Sequence, residues 1–89
     1  MTLRVVYVPD AEFDLEAIYD LIAQDSPGAA FRFVEDLRRR CEAFADFPGM
    51  GRPLENGLHE FVFDRRVRVF YAVSEDEILI SQFRYLGQQ

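Results

Sequence analysis

Five polar residues in the last third of the chain carry groups suited to partner recognition: His59, Arg65, Arg68, Arg84 and Tyr85. A guanidinium holds a carboxylate through two parallel N–H donors, so arginines on a sheet suit the docking of an acidic protein segment. Arg68 and Arg84 fall on neighbouring predicted strands, and antiparallel pairing would align them on one sheet face as a positive stripe. Tyr85 is either a contact residue or an aromatic at the end of a strand. Solubility is the alternative explanation of these charges.

His59 is the only histidine of the chain, and Cys41 is the only cysteine. A single histidine beside Glu60 does not supply the ligand set of a metal site. As a general base, His59 would need a positioned acid or nucleophile, and the sequence supplies no obvious one. We therefore expect no metal, no cofactor and no catalytic residue. His59 is expected at a half-exposed strand position near a partner groove, and Cys41 in the core.

The run at residues 38–40 contains three consecutive arginines and suggests nucleic-acid binding. An acidic residue lies four positions from each of them, at helical spacing. Such pairs stabilise a helix by about 0.2–0.5 kcal/mol each, so they explain the run as a solvated helix face. The predicted pairs are Glu35 with Arg39, Asp36 with Arg40, and Arg38 with Glu42.

The net charge of the 89 residues is −6, and every one of the ten basic residues is arginine. Proteins that grip phosphate backbones are normally basic, because neutralising phosphates supplies most of their affinity. Residues 1–57 carry a charge of −5 and residues 58–89 a charge of −1, so neither part of the chain is basic overall. The composition therefore favours a protein partner over direct binding of nucleic acid.

Residues 1–89 are expected to form a single cytoplasmic domain. Apolar residues make up 49% of the chain and include nine Phe and four Tyr, which provides the dense core that so short a chain needs. No apolar stretch approaches the ~20 residues that span a bilayer, and the first residues lack the features of a secretory signal. A single cysteine excludes an internal disulfide, in keeping with a reducing compartment.

Apolar spacing predicts a strand over residues 3–8 and then two helices. The first helix covers residues 10–24, with Pro9 at its first position and its acids, Asp14 among them, solvated. The second has Ser26 as N-cap and Pro27 at its first position, and runs to about residue 46. So short a turn between two amphipathic helices predicts an antiparallel hairpin.

Residues 47–53 contain two prolines and two glycines and are predicted as an irregular loop, while Asn56-Gly57 signals a turn. Strands are predicted over residues 58–63, 67–73 and 77–85, and their short connections demand antiparallel neighbours. The predicted fold is α+β, β-α-α-β-β-β, an antiparallel sheet with the helical hairpin on one face and the other face partly uncovered. The predicted core positions are Leu15, Ile18, Ile22, Val34, Leu37, Cys41, Val69 and Tyr71.

Several short segments follow one another at a characteristic spacing: AEFDLEAI at residues 11–18, SPGAA at 26–30, PGMGRP at 48–53, and GL at 57–58 with VRVFY at 67–71. Each segment alone is weak, but their order and spacing are fairly specific. Together they resemble the RelE/ParE toxin superfamily, and its ParE branch most of all. The first of these segments matches the "A..DL..I" pattern in the first helix of that family. The last two segments match the family's central hairpin.

The chain departs from the family pattern at three positions. His59 stands where the family often has arginine after its Gly-Leu pair. The family usually ends its last strand with a hydrophobic–His–Gly–Arg segment, and here Leu86 and Gln88 occupy the His and Arg positions around Gly87.

The resemblance implies the toxin of a ParDE-type toxin–antitoxin module, which inhibits DNA gyrase by protein binding and is neutralised by a ParD-like antitoxin. One alternative is a RelE-like ribosome-dependent mRNA endonuclease, in which Arg68, Arg84 and Tyr85 would stabilise the charge on the reacting phosphate. The other alternative is a degenerate, non-toxic member that retains only antitoxin binding.

Overall fold

Every predicted helix and strand is present in the computed structural model, which describes residues 2–86. The order β-α-α-β-β-β is confirmed, with one further short strand inserted before the last three. The predictions about Gly87 and Gln88 concern positions outside the described residues. The elements are β1 (Arg4–Tyr7), α1 (Pro9–Ala23), α2 (Pro27–Ala43), β2 (Arg52–Pro53), β3 (Leu58–Phe63), β4 (Val67–Val73) and β5 (Glu77–Tyr85).

The five strands form one mixed sheet in the order β1-β5-β4-β3-β2. The pairs from β2 to β5 are antiparallel, as their short connections require. β1 runs parallel to β5, with Arg4 opposite Glu77 and Tyr7 opposite Ile80, so the prediction of a purely antiparallel sheet is wrong for this strand. The long helical connection after β1 imposes no antiparallel neighbour, and so the local sequence leaves its direction undetermined.

Both helices begin with a proline at the first turn, where the missing N–H has no intrahelical acceptor to lose. The hydroxyl of Ser26 caps α2 by accepting a hydrogen bond from the backbone N–H of Ala29 at 3.2 Å, as predicted. The two helices pack against each other as an antiparallel hairpin on one face of the sheet. Within residues 2–86, neither helix combines the length and the apolar character needed to cross a membrane.

The three arginines at residues 38–40 make three different contacts within the protein. Arg38 donates to Glu12 of α1 at 2.9 Å and lies over the ring of Tyr7. Arg39 donates to Asp36 at 2.7 Å. Arg40 lies 5.6 Å from the ring centre of Phe61. The run is thus held by neighbours within the fold, although these are not the predicted i,i+4 acids.

The core lies between the helical hairpin and the inner face of the sheet, and it contains the predicted positions. Six of them are less than 5% exposed: Leu15, Ile18, Leu37, Cys41, Val69 and Tyr71. Ile22 and Val34 are partly buried and pack against this cluster. Along β4 the odd-numbered residues from Val67 to Tyr71 are fully buried, while Arg68, Phe70 and Ala72 between and after them are half-exposed.

Cys41 is a core residue, as predicted, and burial raises the pKa of its thiol to about 12. The hydroxyl of Tyr7 and the guanidinium of Arg38 act in the opposite direction and lower the pKa of this thiol, but burial has the larger effect. Burial likewise raises the pKa of Tyr7, whose hydroxyl has no hydrogen-bond partner within residues 2–86. At neutral pH the Cys41 thiol and the Tyr7 phenol are therefore uncharged, and both side chains act as packing residues.

Asp14 is not merely solvated, contrary to the prediction, because it connects α1 to β5. Its Oδ2 accepts a hydrogen bond from the backbone N–H of Phe83 at 3.0 Å. Pairing of β5 with β1 ends at Ile80, so Phe83 lies beyond the reach of a strand on that side. The carboxylate of Asp14 thus satisfies a backbone donor that the sheet leaves unpaired.

A bulge inserts Ser81 into β5, and the hydroxyl of Ser81 donates a hydrogen bond to the carbonyl of Phe70 at 3.2 Å.

Tyr71 organises the segment that the sequence predicts to be an irregular loop. Its hydroxyl accepts a hydrogen bond from Gly51 N–H and donates one to the carbonyl of Pro48, both at 2.8 Å. The segment forms a 3₁₀ turn at Pro48–Met50 and then β2, so the prediction of no regular structure is wrong. A Cβ on Gly51 would lie 2.7 Å from the Tyr71 hydroxyl, which explains glycine at this position.

We expect Tyr71→Phe to lower the free energy of unfolding by about 1–3 kcal/mol, because it leaves the buried Gly51 N–H and the Pro48 carbonyl without their partner. Tyr19→Phe is the matched control, since the hydroxyl of Tyr19 makes no hydrogen bond within residues 2–86, and it should change stability by less than about 0.5 kcal/mol. Urea unfolding measures both. Equal losses in the two variants would contradict the anchoring role of Tyr71.

Candidate partner-binding surface

The sheet surface opposite the helices, the open face, is not covered by the described part of the chain. Apolar side chains lie on it: Val62 of β3 is 48% exposed, Leu79 of β5 is 36% exposed, and Phe70 of β4 is half-buried. Strand pairing brings these three strands side by side in the middle of the sheet. The open face therefore presents apolar surface that a partner can remove from water.

Four arginines from different strands lie on the open face within residues 2–86. Arg4 of β1 lies opposite Glu77 and forms an ion pair with it; the other three, Arg52 of β2, Arg68 of β4 and Arg84 of β5, are called the arginine row. Arg68 lies directly opposite Arg84 in the β4–β5 ladder, which confirms their predicted alignment on one face. Arg52 lies opposite Glu60 in the β2–β3 ladder. The sequence did not single out Arg52 because β2 was not predicted.

One carboxylate serves two members of the arginine row. Glu60 accepts from Arg52 at 2.6 Å and pairs with Nε of Arg68 at 3.4 Å, and its own side chain is only 11% exposed. Arg84 is exposed and forms no ion pair within residues 2–86. Like charges directly opposite each other destabilise a sheet, so the free protein holds Arg84 beside Arg68 at a cost that an incoming carboxylate would remove.

His59 lies on the other face of β3, towards the helices. Its ring stacks on Tyr71 with 5.1 Å between ring centres and an angle of 13° between the planes. Its Nδ1 is buried without a hydrogen-bond partner in the described part of the chain. The residue as a whole is half-exposed, as predicted. It lies against Tyr71 on the helix side of the sheet and not beside the arginine row.

Tyr85 also points to the helix side of the sheet. Its hydroxyl accepts a hydrogen bond from Arg66 at 2.9 Å, and the guanidinium of Arg66 lies 4.7 Å from the ring centre of Phe33 on α2. Arg66 additionally accepts a hydrogen bond from the N–H of Leu86 through its backbone carbonyl. Arg66 thus ties the end of β5 to the hairpin turn and to α2.

Arg65 is the tip of the turn between β3 and β4 and is exposed. Both Asp64 and Arg65 have positive φ, at 54° and 58°, and Arg66 N–H donates to the Phe63 carbonyl at 2.9 Å. This backbone geometry is that of a tight hairpin turn that favours Asn-Gly. The five predicted residues therefore divide into three places: Arg68 and Arg84 on the open face, His59 and Tyr85 behind it, and Arg65 at the turn.

Solved structures of toxin–antitoxin components share this fold. The chain is similar to a protein of the chromosomal ParDE system from P. aeruginosa, with 24% identity, 97% of this chain and 98% of the other covered, and a TM-score of 0.83. It is also similar to a chain of the toxin–antitoxin complex RelBE2 from Mycobacterium tuberculosis, with 15% identity, coverage of 97% and 100%, and a TM-score of 0.73. At these identities the likeness establishes the fold class alone.

Sequence comparison then identifies the family. The model of the ParE toxin of type II toxin–antitoxin systems, parDE, matches residues 5–87, and the chain belongs to this family. It is also similar to toxin RelE2 of Caulobacter vibrioides, with 32% identity over 85 residues that cover 96% of this chain and 97% of that protein. The resemblance inferred from short segments is thereby confirmed, and the protein is a toxin of the ParE/RelE type.

Arg65→Gly should raise the free energy of unfolding by about 0.5–1 kcal/mol, because glycine adopts positive φ without the steric cost of a Cβ. Arg65→Ala is the control: it removes the same charge but keeps the Cβ, and it should leave stability within about 0.5 kcal/mol of the wild type. Thermal and urea unfolding provide the measurement. Indistinguishable stabilities of the two variants would contradict the strained turn.

Proposed function

We propose that this protein is the toxin of a ParDE-type module, which acts in the cytoplasm by binding DNA gyrase and is neutralised by a ParD-like antitoxin. The observation that carries the proposal is the open face, where apolar side chains lie beside the arginine row and Glu60 is the carboxylate that pairs with it. The match to the ParE family model supports the proposal of a gyrase target.

A protein partner fits this surface better than nucleic acid does. The arginine row is a local positive region on a chain of net charge −6, so a polyanion approaching from a distance is repelled while a short acidic segment is attracted at close range. The flanking Leu79 and Val62 add apolar area that a folded partner or an ordered tail can bury. On this account the protein acts without a catalytic residue or cofactor.

Within this proposal, Arg84 is the first contact for an acidic segment of either partner. It is exposed, it has no competing carboxylate in the described part of the chain, and it stands beside Arg68. Two adjacent guanidiniums bind one carboxylate or two neighbouring ones with charge-assisted hydrogen bonds. An antitoxin tail that folds over the open face would bury this pair together with Leu79.

A RelE-like mRNA endonuclease is the second candidate, and the juxtaposition of Arg68 and Arg84 is the observation that favours it. Two guanidiniums side by side also suit the charge that develops on a phosphate during RNA cleavage. The position of Tyr85 weighs against it, because the phenol is turned away from the arginine pair and engaged with Arg66.

Assays of the purified protein on gyrase supercoiling and on message cleavage at stalled ribosomes separate the candidates. We expect inhibition of supercoiling, weakened in Arg84→Ala by about 1–3 kcal/mol, or roughly 5- to 150-fold in inhibitory concentration. Arg32→Ala is the matched control, since Arg32 is an exposed arginine of α2 that makes no ion pair within residues 2–86, and it should inhibit like the wild type.

Message cleavage by the wild type that is lost in both Arg68→Ala and Arg84→Ala, with no effect on gyrase, would establish the endonuclease instead. Tight binding to the antitoxin encoded beside the gene, with no activity in either assay, would identify a degenerate member.

A further inference from the structure

Glu60 lies within the arginine row, between cations of two neighbouring strands. It is opposite Arg52 in the β2–β3 ladder and opposite Phe70 in the β3–β4 ladder. Its Oε1 accepts from Arg52 at 2.6 Å and its Oε2 lies 3.4 Å from Nε of Arg68, so both carboxylate oxygens are engaged. The side chain of Glu60 is 11% exposed, whereas those of Arg52 and Arg68 are 69% and 43% exposed. The carboxylate is therefore held close to the sheet, and the guanidiniums extend into solvent.

The charge that a ligand meets on the open face depends on Glu60. The arginine row has three positive charges, and the carboxylate of Glu60 compensates one of them. The net charge of −6 belongs to the whole chain, and its field is largely screened beyond about 8 Å at physiological ionic strength. A ligand already in contact with the open face therefore responds to the row and to Glu60 more than to the rest of the molecule.

The position of Glu60 limits how many anionic groups the row can hold. Arg84 has no ion pair within residues 2–86, so one carboxylate of a partner can bind there and reach the adjacent Arg68. Two strand spacings of about 4.8 Å separate β5 from β3, so a second anionic group in the direction of β2 would lie beside Glu60 and be repelled. A nucleic-acid strand carries a charge at every nucleotide, whereas a protein segment can follow one acidic residue with apolar ones.

We propose that Glu60 determines the specificity of the open face: it admits a protein segment with a single acidic group and excludes the phosphate backbone of nucleic acid. This role rests on the proposed function in one respect, namely that partners bind to the open face. The neighbours of Glu60 suit such a segment. Phe70 lies opposite Glu60 and Val62 lies opposite Arg68, so apolar side chains that flank the acidic residue would cover them.

Glu60→Gln tests the role directly, because glutamine removes the charge and keeps an acceptor for Arg52. The probe is a fluorescein-labelled single-stranded RNA of about 12 nucleotides, and fluorescence anisotropy at about 50 mM salt measures its binding. We expect Glu60→Gln to bind this RNA at least about tenfold more tightly than the wild type does. The slope of log affinity against log salt concentration should become more negative by about 1.4, because two further phosphates would contribute about 0.7 each on a single strand.

Glu77→Gln is the matched control. Glu77 also pairs with an arginine across a ladder of the open face, Arg4, and its replacement changes the net charge of the protein by the same amount. It lies seven residues from Arg84 along β5, a distance of roughly 20 Å, so its charge does not act on the arginine row. The RNA affinity of Glu77→Gln should stay within about twofold of the wild type. Equal RNA affinities of Glu60→Gln and Glu77→Gln would overturn the proposal.

Glu60→Asp separates the charge of residue 60 from its part in the sheet. Aspartate keeps the negative charge on a side chain that is shorter by one methylene, so this variant should bind RNA as weakly as the wild type. Thermal unfolding establishes that each variant is folded. RNA binding by Glu60→Asp as tight as that of Glu60→Gln would overturn the proposal, because a change in the shape of the sheet would then be responsible.

The wild type alone provides a further test, which does not depend on any variant folding. Its probes are two labelled peptides of equal length, one with a single glutamate among leucines and one with glutamates at three alternate positions. The first peptide should bind at least as tightly as the second, because the row accepts one anionic group. Tighter binding of the second peptide would overturn the proposal.

These assays need no toxic activity, so they can fail independently of the proposed function. Inhibition of gyrase by a protein whose Glu60→Gln variant gains no affinity for RNA would refute the role of Glu60 alone. A gain of RNA affinity in that variant, with no inhibition of gyrase by the wild type, would refute the proposed target and leave the role of Glu60 in place.

Discussion

Two helices are enough to cover only one face of the five-stranded sheet, and this limit shapes the rest of the molecule. On the covered face, Tyr71 lies between Phe44 and His59, and its hydroxyl fixes the segment that leads into β2. On the other face, Leu79 and Val62 stay in contact with water. Because burial of apolar surface is the main favourable term in folding and association, the uncovered face stabilises whatever complex removes it from solvent.

The sequence contains strong local signals for most of the fold. Pro9, Pro27 and Asn56-Gly57 mark where helices begin and where the chain turns, and the bounds of β3, β4 and β5 follow from apolar alternation and short connections. What it does not contain are contacts between distant residues. The hydrogen bond from the backbone N–H of Phe83 to Asp14 joins positions 69 residues apart. The direction of β1 depends on its pairing with β5, near the other end of the chain.

The same distinction applies to the candidate site. The alignment of Arg68 with Arg84 could be predicted because a tight turn fixes the strand register. Period-two alternation also places Tyr85 on the face opposite its neighbour Arg84, so a single surface containing both was never compatible with a regular strand. The pairing of Arg52 with Glu60 could not be predicted, because it depends on β2, a strand of two residues that Tyr71 helps to hold in place.

The open face is the surface on which the proposed toxicity depends. A photo-reactive amino acid introduced at Leu79 and activated in intact cells tests this dependence most directly, with the same group at Glu75 as control. The account predicts a covalent link between position 79 and a subunit of DNA gyrase, suppressed when the antitoxin is co-expressed, and no such link from position 75. Links from position 79 to ribosomal components in cells whose growth is arrested, with none to gyrase, would contradict it.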